Sequence, residues 1–149
     1  VFYPSAPDAV EKRARVNAYL SAHHTSTRMM TTKAFFPFMR SVMDPSIQLD
    51  EAAANSAAMK VAADFERIWL PHEGVDSSRY IASSSHPTIA DLLAYTEIAQ
   101  AQQIGLCDYS GLHRLNMWLQ DMAALAHHDD VHRSLMKLAG LRKKMTKGD

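Results

Sequence analysis

The stretch His86–Leu93, with the sequence HPTIADLL, decides the fold. Thr88 suits a helix N-cap, because its hydroxyl can accept a hydrogen bond from the backbone N–H of Asp91. The Asp91 carboxylate can accept from the N–H of Thr88 in return, which makes the two a capping box with aspartate in place of glutamate. The pair therefore predicts a helix that begins at Thr88, and we assign both residues a structural role.

The residues that follow this cap recur with helical spacing. We expect the helix to run to Gln103, to end near Gly105 and to form the centre of an all-helical domain. The spacing predicts an inward stripe that consists of Ile89, Leu92, Leu93, Thr96, Ala99 and Gln103.

Four more helices are predicted around this one, and no segment alternates as a strand does. The first runs from about Asp8 to Met43, and Pro37 within it should kink or end the helix. The others run from Asp50 to Leu70, from a Ser110 cap to Ala126, and onward from Asp129 or Asp130. We expect Phe35, Phe36 and Phe38 in the core, and Met59, Ala62, Phe65, Ile68 and Trp69 on the inward face of the second helix.

The predicted organisation is one all-α, multi-helix bundle of about five helices. Residues 1–7 form a linker, residues 8–145 the helical domain, and residues 146–149 a frayed tail. A long polar loop, residues 72–87, carries one apolar island at Tyr80 and Ile81, which should enter the core.

Composition limits the function classes. The chain has 149 residues, with 16 basic and 16 acidic side chains, so charge gives no general attraction to nucleic acid or membranes. The single cysteine, Cys107, excludes an internal disulfide and fits a reducing, cytoplasmic location. His128 and His132 have the spacing of two metal ligands, but no glutamate or cysteine completes a set, so we expect no metal site.

One face of the first predicted helix is polar, which is typical of a helix that lines a cleft. It carries Ser21, Thr25 and Arg28, and a guanidinium at a cleft mouth suits carboxylate or sulfate recognition. Met29 could form part of an adaptable pocket, since the thioether is flexible and polarizable. The alternatives are a helix-pairing arginine, hydroxyls bonded to their own backbone, and methionine as core filling.

The order of these signals resembles a known family. Arg13–Leu20 (RARVNAYL) and His24–Arg28 (HTSTR) are followed by Thr88–Asp91 (TIAD) and Leu115–Leu119 (LNMWL). This pattern is similar to the C-terminal helical domain of cytosolic glutathione transferases, the theta class in particular, over nearly the whole chain.

The resemblance implies a two-domain enzyme that conjugates glutathione to small apolar electrophiles in detoxification. Its thioredoxin-like N-terminal domain would bind glutathione as co-substrate and activate the thiol. Its helical domain would supply the electrophile wall and part of a homodimer surface. In this family Arg28 would face the cleft and meet anionic groups, with Thr25 and Ser21 on the same face.

The thiol-activating residue has no counterpart here, so we predict that this chain alone has no catalytic residue and is inactive. The competing hypothesis is a non-catalytic interaction module, as in the elongation factor 1 gamma subunit or in aminoacyl-tRNA synthetase assemblies.

Overall fold

The computed structural model describes residues 2–71 and 79–145, the last three by their backbone alone. Within these ranges the regular elements are all helical, which confirms the predicted all-α class. The predicted tail, residues 146–149, and the loop residues 72–78 lie outside the described residues. No helix in the described part of the chain is long and apolar enough to cross a membrane.

The first predicted helix is a broken one. It consists of α1 (Val10–Ala22), a 3₁₀ turn (His23–Thr25), α2 (Arg28–Met30), a π-helical turn (Thr31–Phe35) and α3 (Phe36–Met43). We call residues 23–35 the distorted segment. The π turn closes with a bond from the Phe36 N–H to the Thr31 carbonyl, immediately before Pro37, which has no N–H to offer. The chain therefore remains helical through Pro37. Phe36 is 48% exposed, so its predicted place in the core is wrong.

The second long helix, α4 (Glu51–Trp69), begins where it was predicted. The Asp50 carboxylate accepts from the Ala53 N–H at 2.9 Å, as an N-cap does. Its buried face consists of Ala54, Ala58, Ala62 and Phe65. Ile68 was expected to face inward and is instead exposed.

The central helix, α5 (Ile89–Gln103), has Thr88 as its N-cap and contacts α1, α2 and α4 as well as the two helices that follow it. Its core position is confirmed, but its predicted stripe is wrong in part, because Ile89 and Thr96 are exposed. Since neighbours cover the helix on several sides, its buried residues do not form one stripe. They are Ala90, Asp91, Ala94, Tyr95, Glu97, Ile98, Ala99 and Ala101.

The last two helices are α6 (His113–Ala123) and α7 (His128–Met145). The predicted Ser110 cap is wrong, because the N–H and hydroxyl of Ser110 bond the Asp108 carboxylate in a preceding turn. The buried face of α6 consists of Leu115, Trp118, Leu119 and Met122.

Candidate functional site

The Asp91 carboxylate is a structural centre at the start of α5 and is fully buried. One oxygen accepts from the Thr88 N–H and hydroxyl, both at 2.8 Å. The other accepts from the Ile81 N–H at 3.0 Å and from the Trp118 indole N–H at 3.1 Å. The predicted capping box is present, and it also binds the apolar island and α6 to the central helix.

A second buried carboxylate, Glu97, lies farther along α5 and is 3% exposed. Arg28 Nη1 donates to its Oε1 at 2.9 Å, and the Thr31 hydroxyl donates to its Oε2. His23 Nε2 lies 3.7 Å from Oε1. The distorted segment is therefore attached to the central helix by three polar side chains, those of His23, Arg28 and Thr31.

His23 also joins a buried hydroxyl network on the side of α1. The Tyr19 hydroxyl lies 2.7 Å from Thr27 Oγ1, and His23 Nδ1 lies 3.0 Å from the same oxygen. Burial lowers the pKa of His23, although the nearby Glu97 carboxylate acts in the opposite direction. Burial likewise raises the pKa of Tyr19 above its usual range. Both rings are therefore uncharged at neutral pH.

A cavity of about 660 Å³ opens between the distorted segment and α4. This volume is typical of sites for small organic ligands. Its walls are mostly apolar and include a few charged side chains. They are formed by Thr25, Ser26, Thr27, Met29 and Lys33 on one side, and by Ala53, Ser56, Ala57, Lys60, Val61, Asp64, Phe65, Ile68 and Trp69 on the other.

The cavity brings together two of the four residues predicted to bind substrate, Thr25 and Met29. The Thr25 hydroxyl also donates to the Ala22 carbonyl at 3.1 Å, which is the local bond considered as its alternative. Arg28 and Ser21 are absent from the wall. Arg28 extends toward α5, and Ser21 is exposed on α1.

Several residues of the site were missed by the sequence reasoning. Lys33, Lys60 and Asp64 gave no signal, because charged residues on a helix usually mark a solvated face. Glu97 could have been noticed, since it interrupts a run of otherwise apolar and small residues on the helix predicted to be central.

The histidine pair of α7 is held by an aromatic neighbour. His128 Nε2 lies 2.8 Å from the Tyr95 hydroxyl, and the His128 and His132 rings stack with centroids 4.6 Å apart. The described residues contain no group of three or more His, Cys, Asp or Glu side chains placed to hold a metal ion.

Comparison with known proteins gives one consistent result. Glutathione S-transferase T1 of Arabidopsis thaliana is 27% identical over 154 residues, which cover 95% of this chain. Glutathione S-transferase T3 of the same plant is 28% identical over 91% of the chain, and human glutathione S-transferase theta-1 is 25% identical over 88%. The chain is similar in sequence to theta-class glutathione S-transferases.

This similarity confirms the resemblance that the sequence motifs indicated. The chain spans 60% of the length of the T1 relative, 24% of T3 and 55% of human theta-1. No protein-family model matches the chain, and no solved structure gives a significant match. The sequence similarity to glutathione transferases thus accompanies an all-helical fold and covers only part of the relatives' length.

Proposed function

We propose that this chain forms the electrophile-binding helical domain of a theta-like glutathione transferase. In the reaction, a glutathione thiolate attacks an electrophilic carbon of an apolar substrate and displaces a leaving group or opens a bond. The thiolate would form in a thioredoxin-like domain of the same parent protein. The helical domain would hold the electrophile and contribute to a homodimer in the cytoplasm.

The cavity between the distorted segment and α4 is the observation that carries this proposal. Met29, Phe65 and Trp69 give it apolar and aromatic walls that favour the burial of an apolar molecule. The irregular helix that forms its other wall is also consistent with a site, since π-helical turns are frequent at functional positions. The relatives found are glutathione transferases, which favours an enzyme over the interaction module.

Arg28 has a separate role in the proposed function, the binding of an anionic group. Its side chain is 47% exposed and is anchored on Glu97. A half-exposed guanidinium retains donors for a carboxylate or sulfate, which suits the anionic groups of glutathione or of a charged electrophile. Thr25 and Met29 would contact the apolar part of the substrate, and Ser21 would lie farther out on α1.

The cavity can be tested by filling it. Ala57 lines the wall and is half-buried, whereas Ala63 is exposed on the same helix and lies outside the wall. In the full-length enzyme, Ala57→Phe should raise the KM for an apolar electrophile several-fold and leave the KM for glutathione unchanged. Ala63→Phe is the matched control and should change neither value. Equal kinetics for the two variants would exclude this cavity as the electrophile site.

A further inference from the structure

The burial of Glu97 requires an explanation that the fold alone does not give. Transfer of a carboxylate from water into a protein core is costly unless partners stabilise the charge. A helix at the centre of the domain could carry an apolar residue at this position. Instead Glu97 is 3% exposed and takes part in polar contacts with three residues of the distorted segment.

The carboxylate itself is held firmly. Its Oε2 accepts from the Thr31 hydroxyl, which also lies 3.3 Å from the Gln100 side-chain oxygen one turn of α5 away. Its Oε1 is the acceptor for Arg28. Because the rotamer of Glu97 is fixed by Thr31, the direction in which it holds Arg28 is fixed too.

Arg28 uses only part of its hydrogen-bonding capacity in this pair. A guanidinium has five N–H donors. Among the residues that the structure describes, the Arg28 guanidinium donates one hydrogen bond, from Nη1 to Glu97 at 2.9 Å. Since nearly half of the Arg28 side chain is exposed, part of its donor capacity remains accessible to solvent.

We propose that Glu97 is a positioning residue for Arg28. It fixes one edge of the guanidinium so that the other donors are directed outward to receive an anionic oxygen pair of a bound ligand. The first half of this inference, the positioning of Arg28 by Glu97, concerns the chain alone. The second half, the binding of an anion by Arg28, rests on the proposed function, in which the anion is a carboxylate of glutathione or an anionic group of the electrophile.

The positioning can be measured without any catalytic assay. In the full-length protein labelled with ¹³C and ¹⁵N at arginine, NMR exchange reports rotation about the Nε–Cζ bond of Arg28. We expect Glu97→Gln to make this rotation several-fold faster, because a neutral amide oxygen accepts a weaker hydrogen bond from the guanidinium than a carboxylate does. Glutamine has nearly the same shape, and its NH2 group can donate to the Thr31 hydroxyl oxygen, which preserves the packing.

The surface pair of Arg79 and Asp121 is the matched control. Arg79 Nη1 lies 3.0 Å from both Asp121 oxygens. Asp121→Asn should accelerate rotation of Arg79 and leave Arg28 unchanged, and Glu97→Gln should do the reverse. Unchanged rotation of Arg28 in Glu97→Gln overturns the proposal.

Kinetics of the full-length enzyme test the second half. If the anion is a carboxylate of glutathione, Glu97→Gln should raise the KM for glutathione. If the anion belongs to the electrophile, Glu97→Gln should raise the KM for an anionic electrophile more than the KM for its neutral analogue. The change in kcat should be small. Arg28→Lys should give the same KM change, and the double variant should add little, because both substitutions remove one function.

Two kinetic outcomes separate the inference from the proposed function. If Glu97→Gln lowers kcat and changes every KM equally, Glu97 has only a structural role and the positioning proposal is wrong. If Arg28→Lys leaves every KM unchanged while the NMR rotation responds to Glu97→Gln, the positioning stands and the assigned role of Arg28 in substrate binding fails.

Discussion

Asp91 shows how far the role of a single residue extends beyond its local motif. The capping box is readable from the sequence because Thr88 and Asp91 are three residues apart. The hydrogen bonds from Ile81 and Trp118 cannot be read from the sequence, since these residues lie 10 and 27 positions away from Asp91 along the chain. The same carboxylate therefore begins a helix and joins two other segments to it.

This double role predicts an unusually large stability effect. Asp91→Ala removes a buried carboxylate and leaves the Trp118 and Ile81 donors without their acceptor, which should cost about 3 kcal/mol or more. Asp50→Ala removes an exposed cap with one bond and should cost about 1 kcal/mol. Urea unfolding of both variants measures the difference. Equal losses would show that the cap alone accounts for the effect of Asp91.

Glu97 marks the limit of sequence reasoning at the scale of a residue. Arg28 was singled out by its type and place, but its partner lies 69 positions away on a helix whose orientation was unknown. A single glutamate in a helix is ordinarily solvent-exposed, because burial of a charge is costly. Its apolar and small neighbours in the sequence mark Glu97 as unusual, but only the packing of α2 on α5 shows which side chains stabilise its charge.

The distorted segment explains, at the scale of an element, why only half of the predicted site assembled. The polar stripe that included Ser21, Thr25 and Arg28 assumed one regular helix, with a constant rotation per residue. The 3₁₀ turn at His23–Thr25 and the π turn at Thr31–Phe35 change that rotation. Thr25 and Met29 consequently face the α4 side, whereas Arg28 faces α5.

The end of α5 was predictable, and its geometry supports a sharper expectation. The Leu106 N–H bonds the Ala101 carbonyl at 2.8 Å and the Gly105 N–H bonds the Gln102 carbonyl at 2.9 Å, which is the Schellman arrangement. It requires a positive φ at Gly105, observed at +71°. A residue with a Cβ is strained in this conformation.

Gly105→Ala should therefore lower the free energy of unfolding by about 1 kcal/mol. Gly140 lies within α7, does not have a positive φ, and a Cβ there would meet no atom within 4 Å. Gly140→Ala should stabilise the protein by about 0.5–1 kcal/mol, because alanine favours helix interiors over glycine. Thermal or urea unfolding gives both values, and a loss of stability in both variants would contradict this assignment.

At the scale of the whole molecule, one buried and one half-buried imidazole make stability depend on pH. His23 is enclosed by Tyr19, Thr27 and Glu97, and burial lowers its pKa. The ring of His132 contacts the rings of Tyr95 and His128, and burial lowers the pKa of His132 as well. Histidine in the unfolded chain has a pKa of about 6.5. As the pH falls through that value, the unfolded state binds protons that the folded state does not.

The free energy of unfolding should thus fall as the pH is lowered from about 7.5 to about 5.5, since protonation favours the unfolded state. The negative charge of Glu97 raises the pKa of His23, but burial lowers this pKa by more. His23→Gln should reduce the pH dependence, and His132→Gln should remove a separate part of it. Urea unfolding at the two pH values measures the wild type and both variants. If His23→Gln keeps the full wild-type dependence, His23 is not buried as the neutral ring that this structure requires.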